Sequence, residues 1–180
     1  MGQNKALLTF EGETLLTHSV RLLQIVSNNV RIVGSIAKFR NYGEVVEDIF
    51  PDCGPLGGIH AALSSSSTEL NIVLAVDMPA VSPQLLTYLS LRARDNGAIA
   101  TVPRTVDGWQ PLCALYRKSF QPFAEQALKA NDYKIDHLFS LVRVCEISAA
   151  ELAEHGFNNA HFNNLNSPED LRIAERTAKP

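Results

Sequence analysis

The sequence predicts an α/β sandwich in which a mostly parallel sheet lies between layers of helices. Short apolar, β-branched runs alternate with helical patterns along the chain, as in repeated strand–helix units. The run Asn71–Val76 is apolar almost without interruption, which is typical of a strand covered on both faces. With 180 residues the chain has the length of one domain with its own core, and we assign residues 1–180 to a single domain.

The first half of the chain contains two helical and three strand patterns. Apolar residues recur at helical spacing from Leu15 to Val26, with Thr14 as the start, and a second helix opens at 57–63. Val30–Gly34 is a β-branched run that ends in glycine, and Glu44–Val46 is a brief strand. The strand at 71–76 completes this half.

The second half continues the alternation. Ser82-Pro83 combines an N-cap with a proline at the first helical position, which predicts a helix to about Arg94. Ser148 and Glu151 have the spacing of a capping box, as do Ser167 and Asp170. The remaining predicted elements are strands at 98–103, 112–116 and 142–147 and helices at 119–129 and 134–141.

Composition and charge exclude several classes of function. A net charge of −3 and a pI near 5.9 provide no basic surface for nucleic acid. The sequence shows neither a secretory signal nor an apolar run long enough to cross a membrane. Cys53, Cys113 and Cys145 are odd in number and widely spaced, which argues against a disulfide framework or a zinc site. We therefore expect a cytoplasmic protein.

Several short motifs occur in a fixed order. They are Met1-Gly2 with Lys5-Ala6-Leu7, Glu47-Asp48, Gly54-Pro55-Leu56-Gly57-Gly58-Ile59, Val76-Asp77-Met78-Pro79, Trp109-Gln110-Pro111-Leu112 and Asn164-Leu165-Asn166-Ser167-Pro168-Glu169-Asp170-Leu171. In order and spacing the chain resembles the molybdenum cofactor guanylyltransferases. The resemblance implies a three-layer, Rossmann-like nucleotidyltransferase sandwich. It also implies the transfer of GMP from GTP to the phosphate of molybdopterin, with release of pyrophosphate.

The family opens with a strand and a glycine-rich turn, L-A-G-G-x-S-x-R-M-G-x-D-K-A-L, of which this chain matches only the last part. The resemblance therefore implies an N-terminally truncated domain that begins at an internal methionine. A shorter relative that works without the turn is the alternative. Because the family's first strand lies inside the sheet, we expect its absence to expose the backbone of two neighbouring strands.

Asp77 is the first candidate for catalysis and for metal binding. It follows directly on a buried strand, at the carboxyl end where open α/β sheets place ligand groups. A carboxylate there can hold Mg²⁺, the one cofactor that we expect, or it can simply cap the next turn. The resemblance favours the metal and implies that Asp77 also contacts the nucleotide.

Further nucleotide contacts follow from the resemblance. Lys5 matches a lysine that contacts the nucleotide and would compensate the charge of the triphosphate, although a solvated lysine is the ordinary alternative. Gly2 belongs to the same loop. Asp48 matches a nucleotide-contacting aspartate, whose carboxylate can accept hydrogen bonds from the edge of guanine.

The expected substrate side consists of glycines and amides. Gly54, Gly57 and Gly58 lie at a helix start, where missing side chains let a substrate approach backbone N–H groups, or where a tight loop needs positive φ. Gln110, Asn164 and Asn166 match family positions that face the pterin, and amides suit its mixed donors and acceptors. Lys134 lies where relatives often carry arginine, and Trp109 is either a stacking surface or core.

The resemblance thus predicts GTP and molybdopterin as substrates, and molybdoenzyme apoproteins and cofactor-synthesis proteins as partners. Two alternatives remain at this point. One is a related transferase that uses CTP or another nucleotide, or another acceptor. The other is an inactive fragment that serves only as a binding partner in molybdenum cofactor delivery.

Overall fold

The computed structural model describes residues 4–165 and residue 170. The predictions for Gly2 and Asn166, and the predicted cap at Ser167, lie outside the described residues. Within the described part no helix has the length and apolar composition that crossing a bilayer requires.

The helices of the described part begin largely where the sequence predicts. They are α1 (Leu15–Val26), α2 (Ile36–Phe39), α3 (Gly54–Ser65), α4 (Pro83–Asn96), α5 (Gln121–Lys129), α6 (Ile135–Leu138) and α7 (Ala149–Glu154). The hydroxyl of Thr14 accepts a hydrogen bond from the Thr17 amide, and the hydroxyl of Ser82 accepts one from Leu85. These caps fix the starts of α1 and α4.

Helix α2 was not predicted, and three other helices differ from their predicted bounds. Helix α5 begins at Gln121, after a short 3-10 helix at Lys118–Phe120. Helix α3 begins at Gly54, three residues before the predicted start, because Pro55 fits the first helical turn and needs no amide partner there. Helix α6 is shorter than predicted and ends at Leu138.

The strands are also short. They are β1 (Thr9–Phe10), β2 (Glu13–Thr14), β3 (Arg31–Val33), β4 (Glu44–Val46), β5 (Leu70–Leu74), β6 (Ala100–Thr105), β7 (Gly108–Trp109), β8 (Cys113–Arg117) and β9 (Val144–Ile147). Strands β3 and β4 pair in parallel, and β1 and β2 form a small hairpin before α1.

A five-stranded sheet forms the centre of the molecule. Strand β8 lies between β5 and β6 and is antiparallel to both, whereas β9 pairs in parallel with β6. Strands β5, β6 and β9 therefore run in one direction and β8 runs in the other. The reversal follows from the β6–β7 hairpin, because a tight turn sends the chain back antiparallel and β8 continues in that direction. The predicted α/β class is confirmed, with a mixed sheet.

Helices cover both faces of this sheet. Side chains alternate along β8, so that Ala114 and Tyr116 pack against α3 and α5, whereas Cys113 and Leu115 pack against α4. The result is the predicted three-layer arrangement, with one apolar cluster on each side of the sheet.

Strand β5 is less buried than its apolar sequence predicts. Every residue from Leu70 to Leu74 is partly exposed. Among the described residues β5 pairs only with β8, and β3 only with β4, so each has one edge without a strand partner. An edge position leaves part of a strand open to water, which explains the difference from the expected full coverage.

Candidate functional site

Lys5 and Asp77 lie close together at the carboxyl end of β5. Lys5 belongs to a short 3-10 helix that Asn4 caps, because its side-chain oxygen accepts a hydrogen bond from the Ala6 amide. The Lys5 Nζ is 3.9 Å from the Asp77 Oδ2, and both side chains are accessible, at 46% and 25% exposure. An ammonium and a carboxylate thus face solvent together, at the position where α/β sheets bind ligands.

The turn after Asp77 is anchored to helix α1. His18 is buried, and its Nε2 lies 3.2 Å from the carbonyl oxygen of Pro79. Because a carbonyl oxygen only accepts, this contact places a proton on the Nε2 of His18. The other ring nitrogen lies 3.1 Å from the carboxylate of Glu13, so the hairpin before α1 also fixes the ring.

A cleft of about 1240 Å³ opens beside this turn. Its walls come from residues of four separate segments, namely 10–22, 79–83, 107–110 and 158–165, and Asp170 also lines it. The Leu165 amide donates to the carbonyl oxygen of Asp77 over 2.8 Å, which joins the last wall to the candidate catalytic residue. Lys5 and Asp77 do not line the cleft themselves, and Asp77 adjoins it through this hydrogen bond and through Pro79, two residues later.

Two predicted substrate residues line this cleft. Gln110 donates through its amide nitrogen to the Thr105 hydroxyl over 3.0 Å, which fixes the side chain, and Asn164 is exposed on the opposite segment. Trp109 also lines the cleft and packs against Phe139, so it contributes to the core, and stacking against a ligand stays a prediction. The structure brings these residues together although more than 50 positions separate them in the sequence.

Asp48 lies beside the glycines of α3. A side chain at Gly57 would come within 3.9 Å of the Asp48 Oδ1 and within 2.9 Å of the Phe50 carbonyl oxygen. Desolvation by the surrounding atoms raises the pKa of the Asp48 carboxyl. A ligand that donates hydrogen bonds to this carboxylate in place of water would stabilise its ionised form.

The three glycines have different surroundings. Gly54 has a φ of +63°, which explains a glycine at that position without a ligand. Gly57 approaches the protein's own backbone at Phe50, whereas Gly58 has only an ordinary contact with Val33. A ligand contact at these positions remains a prediction. These glycines and Asp48 do not line the cleft, and neither does Lys134, whose amide donates to the Asp132 carboxylate.

Comparison with known proteins shows the family of the chain. A family model described as the MobA-like NTP transferase domain matches residues 1–145. The chain belongs to the MobA-like NTP transferase family. It is thus related to enzymes that transfer nucleotidyl groups.

Individual relatives extend the match to nearly the whole chain. The probable molybdenum cofactor guanylyltransferase of Pelotomaculum thermopropionicum is 35% identical over 173 residues, covering 95% of this chain and 83% of the relative. That of Thermococcus kodakarensis is 32% identical and covers 95% and 86%, respectively.

Solved structures show the same fold. The crystal structure of molybdopterin-guanine dinucleotide biosynthesis protein A from Archaeoglobus fulgidus superposes with a TM-score of 0.82 at 26% identity, over 98% of this chain and 91% of that one. A cytidylyltransferase for 2-C-methyl-D-erythritol 4-phosphate from Thermus thermophilus has a TM-score of 0.71 at 16% identity, over 98% and 94% of the two chains. The second likeness concerns the fold alone.

Sequence reasoning missed a polar cluster in this MobA-like chain. Glu13, His18 and Arg21 form a connected group, in which His18 and Arg21 line the cleft. The spacing of residues 18 and 21 could have indicated this contact, since residues three positions apart lie on one face of a helix. Asp107 and Asn159, which hydrogen-bond to each other, are 52 positions apart, and nothing in the sequence indicated the contact.

Proposed function

We propose that this chain is a molybdenum cofactor guanylyltransferase, which transfers GMP from GTP to the phosphate of molybdopterin. The observation that carries the proposal is the Lys5–Asp77 pair, in a chain of the MobA-like family. The backbone of Asp77 is hydrogen-bonded to Leu165 in the wall of the cleft. The names of the guanylyltransferase relatives support the choice of nucleotide and acceptor.

The reaction needs little covalent chemistry from the protein. An oxygen of the acceptor phosphate attacks the α-phosphorus of GTP, the bond to the bridging oxygen breaks, and pyrophosphate leaves with that electron pair. A phosphate monoester is already anionic at neutral pH, so its attack requires no general base. The protein must hold the two substrates in line and compensate their negative charge.

Lys5 and Asp77 have different parts in positioning the substrates and compensating their charge. The Lys5 ammonium lies beside the carboxylate and compensates charge on the triphosphate and on the departing pyrophosphate. Asp77 holds its carboxylate at the end of β5, where it faces the same phosphates. The backbone bond from Leu165 to Asp77 supports a position of the pair between a bound nucleotide and an acceptor in the cleft, which in-line transfer would require.

The residues present fit a magnesium ion that is shared with substrate. Among the described residues no cluster of three or more histidine, cysteine or acidic side chains could enclose a metal. Mg²⁺ commonly takes one or two carboxylates, with phosphate oxygens and water as its other ligands, so Asp77 suffices. Bound there, the ion would neutralise charge on the phosphate oxygens.

The remaining predicted contacts extend the proposal to both substrates. Asp48 would accept hydrogen bonds from N1–H and the exocyclic amine of guanine, beside Gly57. Gln110 and Asn164 would hydrogen-bond the pterin within the cleft. Delivery of the product to molybdoenzyme apoproteins in the cytoplasm, with the help of cofactor-synthesis proteins, completes the proposal.

The test replaces the carboxylate of Asp77. We expect Asp77→Asn to lower Mg²⁺-dependent transfer of label from α-labelled GTP to molybdopterin by about 100-fold or more, because a neutral amide is a poor magnesium ligand. Asp95→Asn, on the exposed surface of α4, is the matched control and should keep full activity. Unchanged turnover and Mg²⁺ dependence in Asp77→Asn would refute the assignment.

A further inference from the structure

The cleft has an uneven distribution of charge. Among the described residues that line it, Arg21 is the one arginine or lysine, whereas Glu11, Asp107 and Asp170 are acidic. An anionic group that enters the cleft is repelled by three carboxylates and attracted by one guanidinium. The phosphate of a ligand in this cleft therefore has one favourable position among these side chains, next to α1.

Arg21 is held in place from one side. Its Nε and Nη2 both donate to the Glu13 Oε1, over 3.2 and 2.7 Å, and the Nη2 also lies 3.1 Å from the Nδ1 of His18. The bond with Arg21 holds the pKa of Glu13 below its ordinary value, so this anchor is ionised at neutral pH. Glu13 does not itself line the cleft, so the anchor lies behind the guanidinium.

The opposite side of the guanidinium is available to a ligand. The Arg21 side chain is 55% exposed, and within the described residues no hydrogen bond engages its Nη1. A planar guanidinium that is fixed through two of its nitrogens loses little freedom when the third binds an oxyanion. The same network reaches the Asp77 turn, because His18 joins Arg21 to the Pro79 carbonyl oxygen.

We propose that Arg21 binds the phosphate of the acceptor in the cleft and selects phosphorylated over unphosphorylated pterins. The proposal rests on the proposed function in that it takes the cleft to be the acceptor site. It assigns a specificity role to a residue outside the motifs that suggested the function. The other source of phosphate is GTP, and the experiment separates the two.

The experiment compares two ligands and three proteins. Calorimetry measures binding of 6-hydroxymethylpterin phosphate and of unphosphorylated 6-hydroxymethylpterin to the wild type, Arg21→Gln and Arg21→Lys. Removing a charge-assisted hydrogen bond should weaken binding of the phosphorylated pterin about tenfold or more, with unphosphorylated pterin unchanged. Arg21→Lys should restore part of the preference, since it keeps the charge and loses the fork.

Controls distinguish this proposal from the one on which it rests. Arg94→Gln, on the exposed face of α4, should bind both pterins like the wild type, and thermal unfolding checks that every variant is folded. Loss of MgGTP binding in Arg21→Gln with unchanged phosphate preference would overturn the proposal, and so would absence of that preference in the wild type. An Arg21-dependent preference without GMP transfer to molybdopterin would support this inference and refute the proposed reaction.

Discussion

Gly57 and Gly58 are neighbours on α3 with different constraints. A methyl group at Gly57 would lie 2.9 Å from the Phe50 carbonyl oxygen, which is backbone and cannot rotate away. At Gly58 the nearest atom is the Val33 Cγ1 at 3.8 Å, an ordinary contact. Two chemically identical substitutions in one helix therefore separate the effect of steric overlap from that of helix propensity.

We expect Gly57→Ala to lower the free energy of unfolding by about 1–2 kcal/mol, because overlap outweighs the gain in helix propensity. Gly58→Ala should leave it unchanged or raise it by about 0.5–1 kcal/mol. Urea unfolding of both variants measures the difference. Equal stability of the two would show that the approach to Phe50 does not explain the glycine.

Candidate site residues could be predicted where the neighbouring sequence forms a recognisable pattern, and not where it does not. Asp77 follows the apolar run 71–76, and Lys5 continues a recognisable motif, so both could be named as candidates from the sequence. The sequence around Arg21 is that of an ordinary helix and contains no motif. The orientation of its guanidinium depends on a hydrogen bond to Glu13 in the preceding hairpin. Its importance arises only when folding places α1 against the cleft.

At the scale of elements, α4 and α7 are joined by one carboxylate. Glu151 accepts hydrogen bonds from the Tyr88 hydroxyl over 2.5 Å and from the Arg92 Nε over 2.6 Å. Burial raises the pKa of Tyr88 to about 12, so its hydroxyl remains a donor. Helix α7 leads into the segment 158–165 that forms one wall of the cleft, so this junction supports the candidate site.

We expect Glu151→Gln to lower the free energy of unfolding by about 1–2 kcal/mol at neutral pH, allowing for partial exposure of Arg92. Arg92 holds the pKa of Glu151 below its ordinary value of 4.5. A lowered carboxyl pKa stabilises the fold above the unfolded-state value, and this stabilisation disappears as the pH falls through the folded-state value. The difference between variant and wild type should therefore shrink progressively below pH 4.5.

Urea unfolding over that pH range tests the expectation. Glu154→Gln, exposed on the same helix, is the control and should unfold like the wild type. A difference for Glu151→Gln that stays constant into acid would contradict the role of this ion pair.

The cap of α7 shows what a short sequence pattern can predict about a helix and what it cannot. Ser148 caps α7 as predicted, since its hydroxyl accepts from the Glu151 amide. The spacing also predicted that the Glu151 side chain would complete the capping box. Its carboxylate instead binds Arg92 and Tyr88, which lie about 60 positions earlier. The capping pattern correctly predicted the start of α7, whereas the hydrogen bonds of the Glu151 side chain depend on residues that are distant in the sequence.

At the scale of the whole molecule, the three layers were predictable because alternating strand and helix patterns favour one architecture. The reversed direction of β8 was not, since an apolar run gives no information about direction. The cleft was least predictable, because its walls come from four segments spread between residues 10 and 165. Its chemistry depends on how the sheet brings them together.

An assay of nucleotidyl transfer decides whether this chain is a guanylyltransferase. Purified chain, molybdopterin and Mg²⁺ are incubated with α-labelled GTP or α-labelled CTP, and labelled dinucleotide and pyrophosphate are followed. We expect equal amounts of both products from GTP, at a rate at least about tenfold above that with CTP, a difference of about 1.4 kcal/mol in activation free energy. Transfer from CTP at an equal or greater rate, or no transfer by the folded protein, would contradict this expectation.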